Sequence, residues 1–158
     1  MGYNTTFKGH IEVNPPLNEK EIDYLTKFSN SRRMKRDNGP YFVDGSNGAE
    51  QYYDNDIIDV NNPPEGQPGL WCQWVPSSDG SCLKWNGVEN FYNSVQWMEY
   101  LIAHFIGDNP IAKNKSAPDF DFLEGHTLNG EIKAKGEETN DLWTLYVIEN
   151  IISVVQKH

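Results

Sequence analysis

The sequence predicts an α+β domain in which two helices cover one face of an antiparallel sheet. Short segments that alternate apolar and polar residues are typical of strands, and two longer segments repeat apolar residues at helical spacing. Their order is β-α-β-β-α-β followed by a β-hairpin. The first six elements match the split βαβ, ferredoxin-like arrangement. Connectivity alone leaves another strand order open.

The first and fourth predicted strands share one pattern. Residues 7–13 (FKGHIEV) and 128–134 (LNGEIKA) both run apolar, polar, Gly, polar, Ile, charged, apolar. Asn14-Pro15-Pro16 ends the first strand, because proline offers no amide to a neighbouring strand. We expect the two strands to pair, as they do in a ferredoxin-like sheet.

The first helix is predicted to begin after Asn18. Asn18 is a suitable N-cap, and Glu21 three residues later completes an Asn variant of the capping box. Leu17 and Ile22 are spaced for a hydrophobic staple. The apolar stripe of this helix then consists of Ile22, Leu25 and Phe28.

A basic cluster lies further along the chain. It consists of Arg32, Arg33, Lys35 and Arg36. We expect the helix to run through the cluster and to end at residues 38–40 (NGP). Three interpretations stay open. The cations occupy a solvated helix end and favour its dipole, they bind an anion such as a phosphate or an acidic peptide, or they pair with acids in residues 44–65. We favour the last.

The middle of the chain is predicted to contain a long loop and a hairpin. Residues 37–69 are irregular, and loops longer than about 15 residues are usually functional or disordered. Residues 70–75 and 81–85 form a hairpin that turns on Asp79-Gly80. Cys82 then faces Ser77, and Cys72 lies too far along the ladder for a disulfide. Reduced cysteines fit a cytoplasmic location.

The second half completes one predicted domain over residues 1–158. Apolar residues recur at helical spacing over residues 88–106, namely Val88, Phe91, Val95, Met98, Ile102 and Phe105. A second loop covers about 107–127, and residues 142–148 and 151–156 form a hairpin that turns on Glu149-Asn150. We expect no membrane span and no secretory signal.

Charge is distributed unevenly along the chain, whose formal net charge is −10. Residues 1–36 hold seven Lys and Arg against four Asp and Glu, whereas residues 37–158 hold six against nineteen. Such an acidic field disfavours nucleic acid and favours a basic partner, although it also serves solubility alone.

The predicted partner-binding site combines acids of the long loop with nearby aromatic residues. Trp71 and Trp74 would point to opposite faces of a strand, so at least one leaves the core unless the loop covers it. Exposed Trp and Tyr residues dominate binding hot spots. The predicted site consists of Asp44, Glu50, Tyr52, Tyr53, Asp54, Asp56, Asp59 and Trp71.

Signals for catalysis or metal binding are weak. Two acidic groups, Asp54-Asn55-Asp56-x-x-Asp59 and Asp119-x-Asp121-x-x-Glu124-x-His126, offer oxygen ligands, but the first lacks the Gly and bidentate Glu of an EF-hand. We expect solvated loops, with no metal and no cofactor. His104, beside Tyr100, is expected to be partly buried and hydrogen bonded. Cys72 or Cys82 forms a nucleophile–base pair with His104 only if the fold brings them together.

The chain also resembles a family of small uncharacterised bacterial and phage proteins. The matching segments are GYNTTFKG (2–9), RRMKR (32–36), NPP (62–64), QPGLWCQW (67–74), FY (91–92), WMEYLI (97–102), LNGE (128–131) and GE (136–137). This resemblance implies a self-contained domain of bacterial or phage origin and carries over no catalytic residue. Residues 106–127 depart from the family pattern, where Asn and Lys replace a shorter aromatic linker.

These observations predict a non-enzymatic, cytoplasmic, acidic binding protein that binds a basic protein partner. In a phage setting it would inhibit a host nucleic-acid-binding protein by charge mimicry. One alternative is an enzyme or small-ligand binder with a pocket between the 40–69 loop, the Trp hairpin and the second helix. An immunity-type protein is a third interpretation and differs only in its partner.

Overall fold

The computed structural model describes residues 2–43, 54–115 and 119–157. Its elements are β1 (Thr6–Asn14), α1 (Glu19–Asn30), β2 (Lys35–Arg36), β3 (Ile57–Asp59), β4 (Trp74–Pro76), β5 (Cys82–Trp85), α2 (Ser94–Leu101), α3 (Ile111–Lys115), β6 (Thr127–Lys135), β7 (Leu142–Ile148) and β8 (Ile151–Lys157). A π-helical segment, Ile102–Ile106, continues α2. Among the described helices, none combines the length and the apolar character needed to cross a membrane.

Six strands form one antiparallel sheet in the order β4-β5-β1-β6-β7-β8. The expected pairing of the first and fourth predicted strands is confirmed, because Phe7 of β1 lies opposite Ala134 of β6 and Val13 lies opposite Leu128. The coarse prediction of an α+β fold with an antiparallel sheet is therefore confirmed. β2 and β3 form a separate two-stranded ribbon.

Both predicted hairpins have the expected register. In the β4–β5 hairpin the amide of Ser77 donates to the carbonyl of Cys82 at 2.8 Å, and both cysteines are free. In the β7–β8 hairpin the turn residues Glu149 and Asn150 have φ of 49° and 70°. Positive φ at both positions is the signature of a type I′ turn.

The core lies on one face of the sheet, beneath α1 and α2. Phe28 of α1 and Trp97 of α2 are fully buried, and their rings meet edge to face with centroids 5.8 Å apart. Ile11 of β1 and Ile132 of β6 project into the same cluster. Alternate residues, such as Lys133, point to the open face and are exposed.

The first helix is shorter than predicted. The capping box at Asn18 and Glu21 is present, but α1 ends at Asn30, so the basic cluster does not belong to a helix end. The Arg33 amide instead donates to the carbonyl of Leu70 at 2.7 Å. The Arg33 guanidinium covers the Phe28 ring at 4.1 Å. These long-range contacts outweigh the weak tendency of the chain to continue the helix.

The second helix begins later than predicted, at Ser94 instead of residue 88. Asn90 and Asn93 adopt left-handed conformations with φ of 60° and 59°, which interrupts any helix before them. Val88 is therefore exposed. The predicted end at Ile106 is correct, and Gly107 closes the π-helical segment with a 2.8 Å bond to the Ile102 carbonyl.

Both predicted loops contain regular structure in their described parts. The segment 37–69 includes β3, which pairs with β2 in the basic cluster. The segment 107–127 includes the five-residue helix α3. These elements could not be predicted from hydrophobic periodicity, because segments of two to five residues are too short to show a period.

Candidate functional site

The basic cluster is largely occupied by contacts within the chain. The Arg36 side chain is buried and forms ion pairs with Asp54 at 3.0 Å and Asp56 at 2.9 Å. Its guanidinium also lies 4.4 Å from the Phe42 ring centroid. Arg32 donates from Nε to the carbonyl of Val60 at 3.0 Å. Lys35 is exposed.

Arg33 is buried, and its side chain is held by uncharged hydrogen-bond acceptors. It donates from Nη2 to the Pro40 carbonyl at 2.7 Å and from Nε to Gln67 Oε1 at 3.4 Å. Its Nη1 atom has no hydrogen-bond partner among the described residues. Burial lowers the pKa of this guanidinium to about 10. Arg33 therefore fixes the segment around Pro40 and Gln67 against α1.

The acids of the predicted partner-binding site do not form one cluster in the described part of the structure. Asp54 and Asp56 are the partners of Arg36. Asp59 accepts hydrogen bonds from the Asn62 side chain at 2.7 Å and the Asn61 amide at 2.9 Å, and these bonds lower its pKa. The remaining predicted site residues Asp44, Glu50, Tyr52 and Tyr53 lie outside the described residues.

A cleft of about 720 Å³ opens beside Trp71. It lies between the end of α1, residues of the 69–73 segment that precedes β4, and residues of the 86–93 segment that precedes α2. Clefts of this size are typical of ligand-binding sites. We call it the Trp71 cleft.

Two aromatic residues at the Trp71 cleft remain exposed, Trp71 by 37 % and Tyr92 by 53 %. The neighbouring Trp74 is buried in the core and donates from Nε1 to the Ser94 carbonyl at 2.8 Å. Trp71 differs because it precedes the strand and its segment is held by the Arg33–Leu70 bond. One of the two tryptophans thus leaves the core, and the sequence left open which of them would be exposed.

Hydrogen bonds to residues distant in the sequence position the 86–93 side of the cleft. The Asn93 side chain donates to the Pro68 carbonyl at 2.7 Å, and the Asn90 amide donates to Asn4 Oδ1 at 3.1 Å. Glu89 is the only charged residue among the described residues that line the cleft. The described part of the lining is therefore apolar and amide-rich, with one carboxylate and no cation.

A buried hydrogen-bond donor lies behind Gly69. Trp97 is fully buried, and its Nε1 has no hydrogen-bond partner among the described residues. A Cβ atom placed on Gly69 would lie 3.7 Å from this nitrogen and 3.7 Å from Asn93 Nδ2. Trp97 itself is not among the residues that line the cleft, and an acceptor atom that paired with this nitrogen would remove the cost of an unpaired buried donor.

A second cleft of about 640 Å³ contains His104. His104 stacks on Tyr100 with ring centroids 3.9 Å apart, and its Nδ1 lies 2.7 Å from the Tyr41 hydroxyl. Burial, followed by the charge of Lys115, lowers the pKa of His104. The imidazole is thus half-buried and hydrogen bonded, as expected from the sequence.

Cys72 does not have the environment of a reactive nucleophile. Cys72 is fully buried, its Sγ donates to the Trp74 carbonyl at 3.9 Å, and burial raises its pKa to about 12. Activated thiols instead have lowered pKa values, and here the charge of Arg33 lowers the pKa of Cys72 less than burial raises it. Cys82 lies opposite Glu12 of β1.

The second acidic group does not assemble a metal site. His126 places Nε2 against the Glu21 carboxylate and Nδ1 against the Pro15 carbonyl, so neither nitrogen is available to a metal. Asp119, Asp121 and Glu124 are exposed. Within 2–43, 54–115 and 119–157, no group of three His, Cys, Asp or Glu residues could hold a metal ion.

The sequence pattern does not single out Tyr92, Glu89 and Asn93, because it predicts that the second helix begins at residue 88. The signal was the asparagine content of residues 86–93, since Asn adopts left-handed conformations more readily than most residues.

Comparison with protein-family models, with curated proteins and with solved structures finds no match to this chain. The resemblance to small bacterial and phage proteins therefore stays an expectation.

Proposed function

We propose that this chain is a non-enzymatic binding protein whose site is the Trp71 cleft. Its ligand is an exposed basic segment of a partner protein. The observation that carries this proposal is the pair Trp71 and Tyr92, which stay exposed beside a cleft large enough to take several side chains. Aromatic residues beside a cleft are typical anchors of binding energy.

Charge favours a basic partner over an acidic one. Glu89 is the only charged residue among the described residues of the lining, and the whole chain carries −10. A cationic group entering the cleft gains the attraction of Glu89 and can lie over an aromatic ring. An acidic ligand would meet repulsion from Glu89 and from the net negative charge of the chain.

The proposed site retains Trp71, which also belongs to the site predicted from the sequence. Its negative charge comes from Glu89 instead of from the acids of the long loop. Asp54 and Asp56 already neutralise Arg36 inside the chain, so their charges contribute less to a partner. In the bacterial or phage setting that the resemblance implies, the partner would be a nucleic-acid-binding host protein. A toxin recognised by an immunity-type protein fits the same chemistry.

The experiment is capture of protein from nuclease-treated bacterial lysate at low and high salt. We expect the native chain to capture a basic protein that salt releases. Glu89→Gln should weaken capture, whereas Glu12→Gln, an equal change on the open face of the sheet, should not. Equal capture by native chain and Glu89→Gln would place the site elsewhere.

A small neutral ligand in the same cleft is a second candidate, favoured by the unpaired Nε1 of Trp97. Gly69→Ala tests it, because the added methyl group meets only ordinary contacts at 3.7 Å yet obstructs approach to that nitrogen. A metabolite that raises the melting temperature of the native chain but not of Gly69→Ala would support this candidate.

We also propose that β6, β1, β5 and β4 form a ferredoxin-like core. These strands are neighbours in that order, each pair is antiparallel, and α1 and α2 lie in the crossover connections. The whole sheet is larger, because β7 and β8 extend it and α3 adds a third helix. A cytoplasmic setting is supported by the free thiols of Cys72 and Cys82.

A further inference from the structure

The two edges of the sheet differ in how they are protected. The β4 edge is three residues long and ends in Pro76. The β8 edge is seven residues long, contains no proline and has its only charged residue, Lys157, at its end. Short length, proline and charge are the usual means by which proteins prevent edge strands from pairing. The β8 edge therefore lacks the protection that β4 has.

The β8 edge is also apolar and exposed. Ile151 is 72 % exposed, Val155 53 % and Val154 43 %. Residues 142–156, which make up nearly all of the β7–β8 hairpin, contain one charged residue, Glu149, in a chain of which 23 % is charged. A long, uncharged, β-branched edge is a surface that is expected to be covered by another strand.

The hairpin register shows which backbone groups are free to pair. Ile148 and Ile151 flank a two-residue turn, so they form the closing hydrogen-bonded pair. Bonding to β7 then alternates along β8, and Ser153 and Val155 also bond to β7. The amides and carbonyls of Ile152 and Val154 consequently point away from the sheet.

We propose that the β8 edge pairs antiparallel with β8 of a second copy of this chain. The pairing joins two six-stranded sheets into one continuous sheet across a two-fold axis. Both copies use the same surface, so the assembly closes as a dimer and leaves β4 as the outer edge on each side.

The sequence of β8 is complementary to itself in this arrangement. With Ser153 on the two-fold axis, Ile151 of each copy lies opposite Val155 of the other on the open face. On the core face, Ile152 lies opposite Val154. The same register brings Lys157 of each copy to Glu149 at the turn of the other, so opposite charges meet at both ends of the paired strands.

Sedimentation equilibrium of the full chain tests the dimer. We expect the native chain to dimerise between about 1 and 300 µM, and Val154→Pro to weaken the dimer at least about tenfold. Proline removes an amide that points outward, so the β7–β8 bonds stay intact. Val154→Thr is the matched control, because it keeps the amide and should still dimerise.

A charge exchange provides a second test that does not depend on proline. Glu149→Lys and Lys157→Glu should each weaken the dimer, and the double variant should restore it because opposite charges again meet. The proposal is overturned if the native chain stays monomeric throughout this range. It is equally overturned if a dimer forms that Val154→Pro leaves unchanged, or if β8 pairs only with a different protein.

Discussion

The carboxylate of Glu21 lies 2.8 Å from Nε2 of His126, and both side chains are completely buried. The other ring nitrogen of His126 lies 2.6 Å from the Pro15 carbonyl. Because both nitrogens face acceptors, the protonated imidazole is the form that satisfies both contacts. Glu21 also accepts from the Asn18 amide at 2.9 Å and the Glu124 amide at 3.2 Å. The pair thus ties the start of α1 to the segment before β6.

The Glu21–His126 pair predicts a loss of stability as the pH rises above about 6.5. Burial lowers the pKa of His126, but the hydrogen bonds with Glu21 and Pro15 outweigh burial and raise it above 6.5. The stabilisation is therefore fully present below about 6.5 and is lost as pH rises through the folded-state pKa. Urea unfolding over a pH series should show this decline. His126→Gln should remove it, while His10→Gln, on the exposed face, should retain it. An unchanged decline in His126→Gln would contradict this assignment.

The basic cluster is predicted to contribute unequally to stability. Arg36→Ala leaves Asp56 partly buried without its cation and should lower the free energy of unfolding by about 3 kcal/mol. Lys35→Ala changes an exposed neighbour and should alter it by less than about 0.5 kcal/mol. Chemical denaturation of both variants measures the difference. Similar values for the two would mean that the Arg36 ion pairs do not hold the 54–56 segment.

Replacing Gly80 by alanine is predicted to destabilise the protein more than the same change at Gly39, although both glycines have positive φ. It has φ of 76°, and an added Cβ would lie 2.5 Å from the Leu17 carbonyl oxygen. Gly80→Ala combines backbone strain with a clash and should cost about 2–4 kcal/mol. Gly39 has φ of 92° with nothing near an added Cβ, so Gly39→Ala should cost about 1 kcal/mol. The melting temperatures of the two variants measure this difference. A lower melting temperature for Gly39→Ala than for Gly80→Ala would contradict the prediction.

The two thiols should react at different rates in the native protein. Cys72 is buried with a pKa raised to about 12, whereas Cys82 is partly exposed on β5. We expect a thiol reagent to modify Cys82 rapidly and Cys72 only after unfolding. Cys82→Ser should abolish the rapid phase. Rapid modification that survives this substitution would show that Cys72 is accessible.

Features encoded over short distances were predictable from the sequence. The capping box at Asn18, the register set by Asp79-Gly80 and the turn at Glu149-Asn150 each depend on a few neighbouring residues. The pairing of β1 with β6 was also predictable, because their matching patterns allow both strands to present the same face to the core.

Features that depend on distant residues were not predictable. The end of α1 at Asn30 follows from contacts of Arg33 with Leu70 and Pro40, which no local pattern reveals. The Trp71 cleft arises where three separate segments meet, so its members Glu89 and Tyr92 carry no common motif. The sequence placed Trp71 in the predicted site, but its spacing from Trp74 could not tell which of the two is exposed, because Trp71 lies before β4 and not on a strand.

The Trp71 cleft is tested most directly by the affinity of the captured partner for the native chain and for Trp71→Ala. Trp71 is partly exposed, so its replacement should leave the fold intact, which cooperative melting would verify. If Trp71 anchors the partner, we expect the dissociation constant to rise at least about thirtyfold, as for a binding hot spot. Trp71→Phe should retain most of the affinity. A dissociation constant within about twofold of the native value for Trp71→Ala would contradict the assignment of this cleft as the binding site.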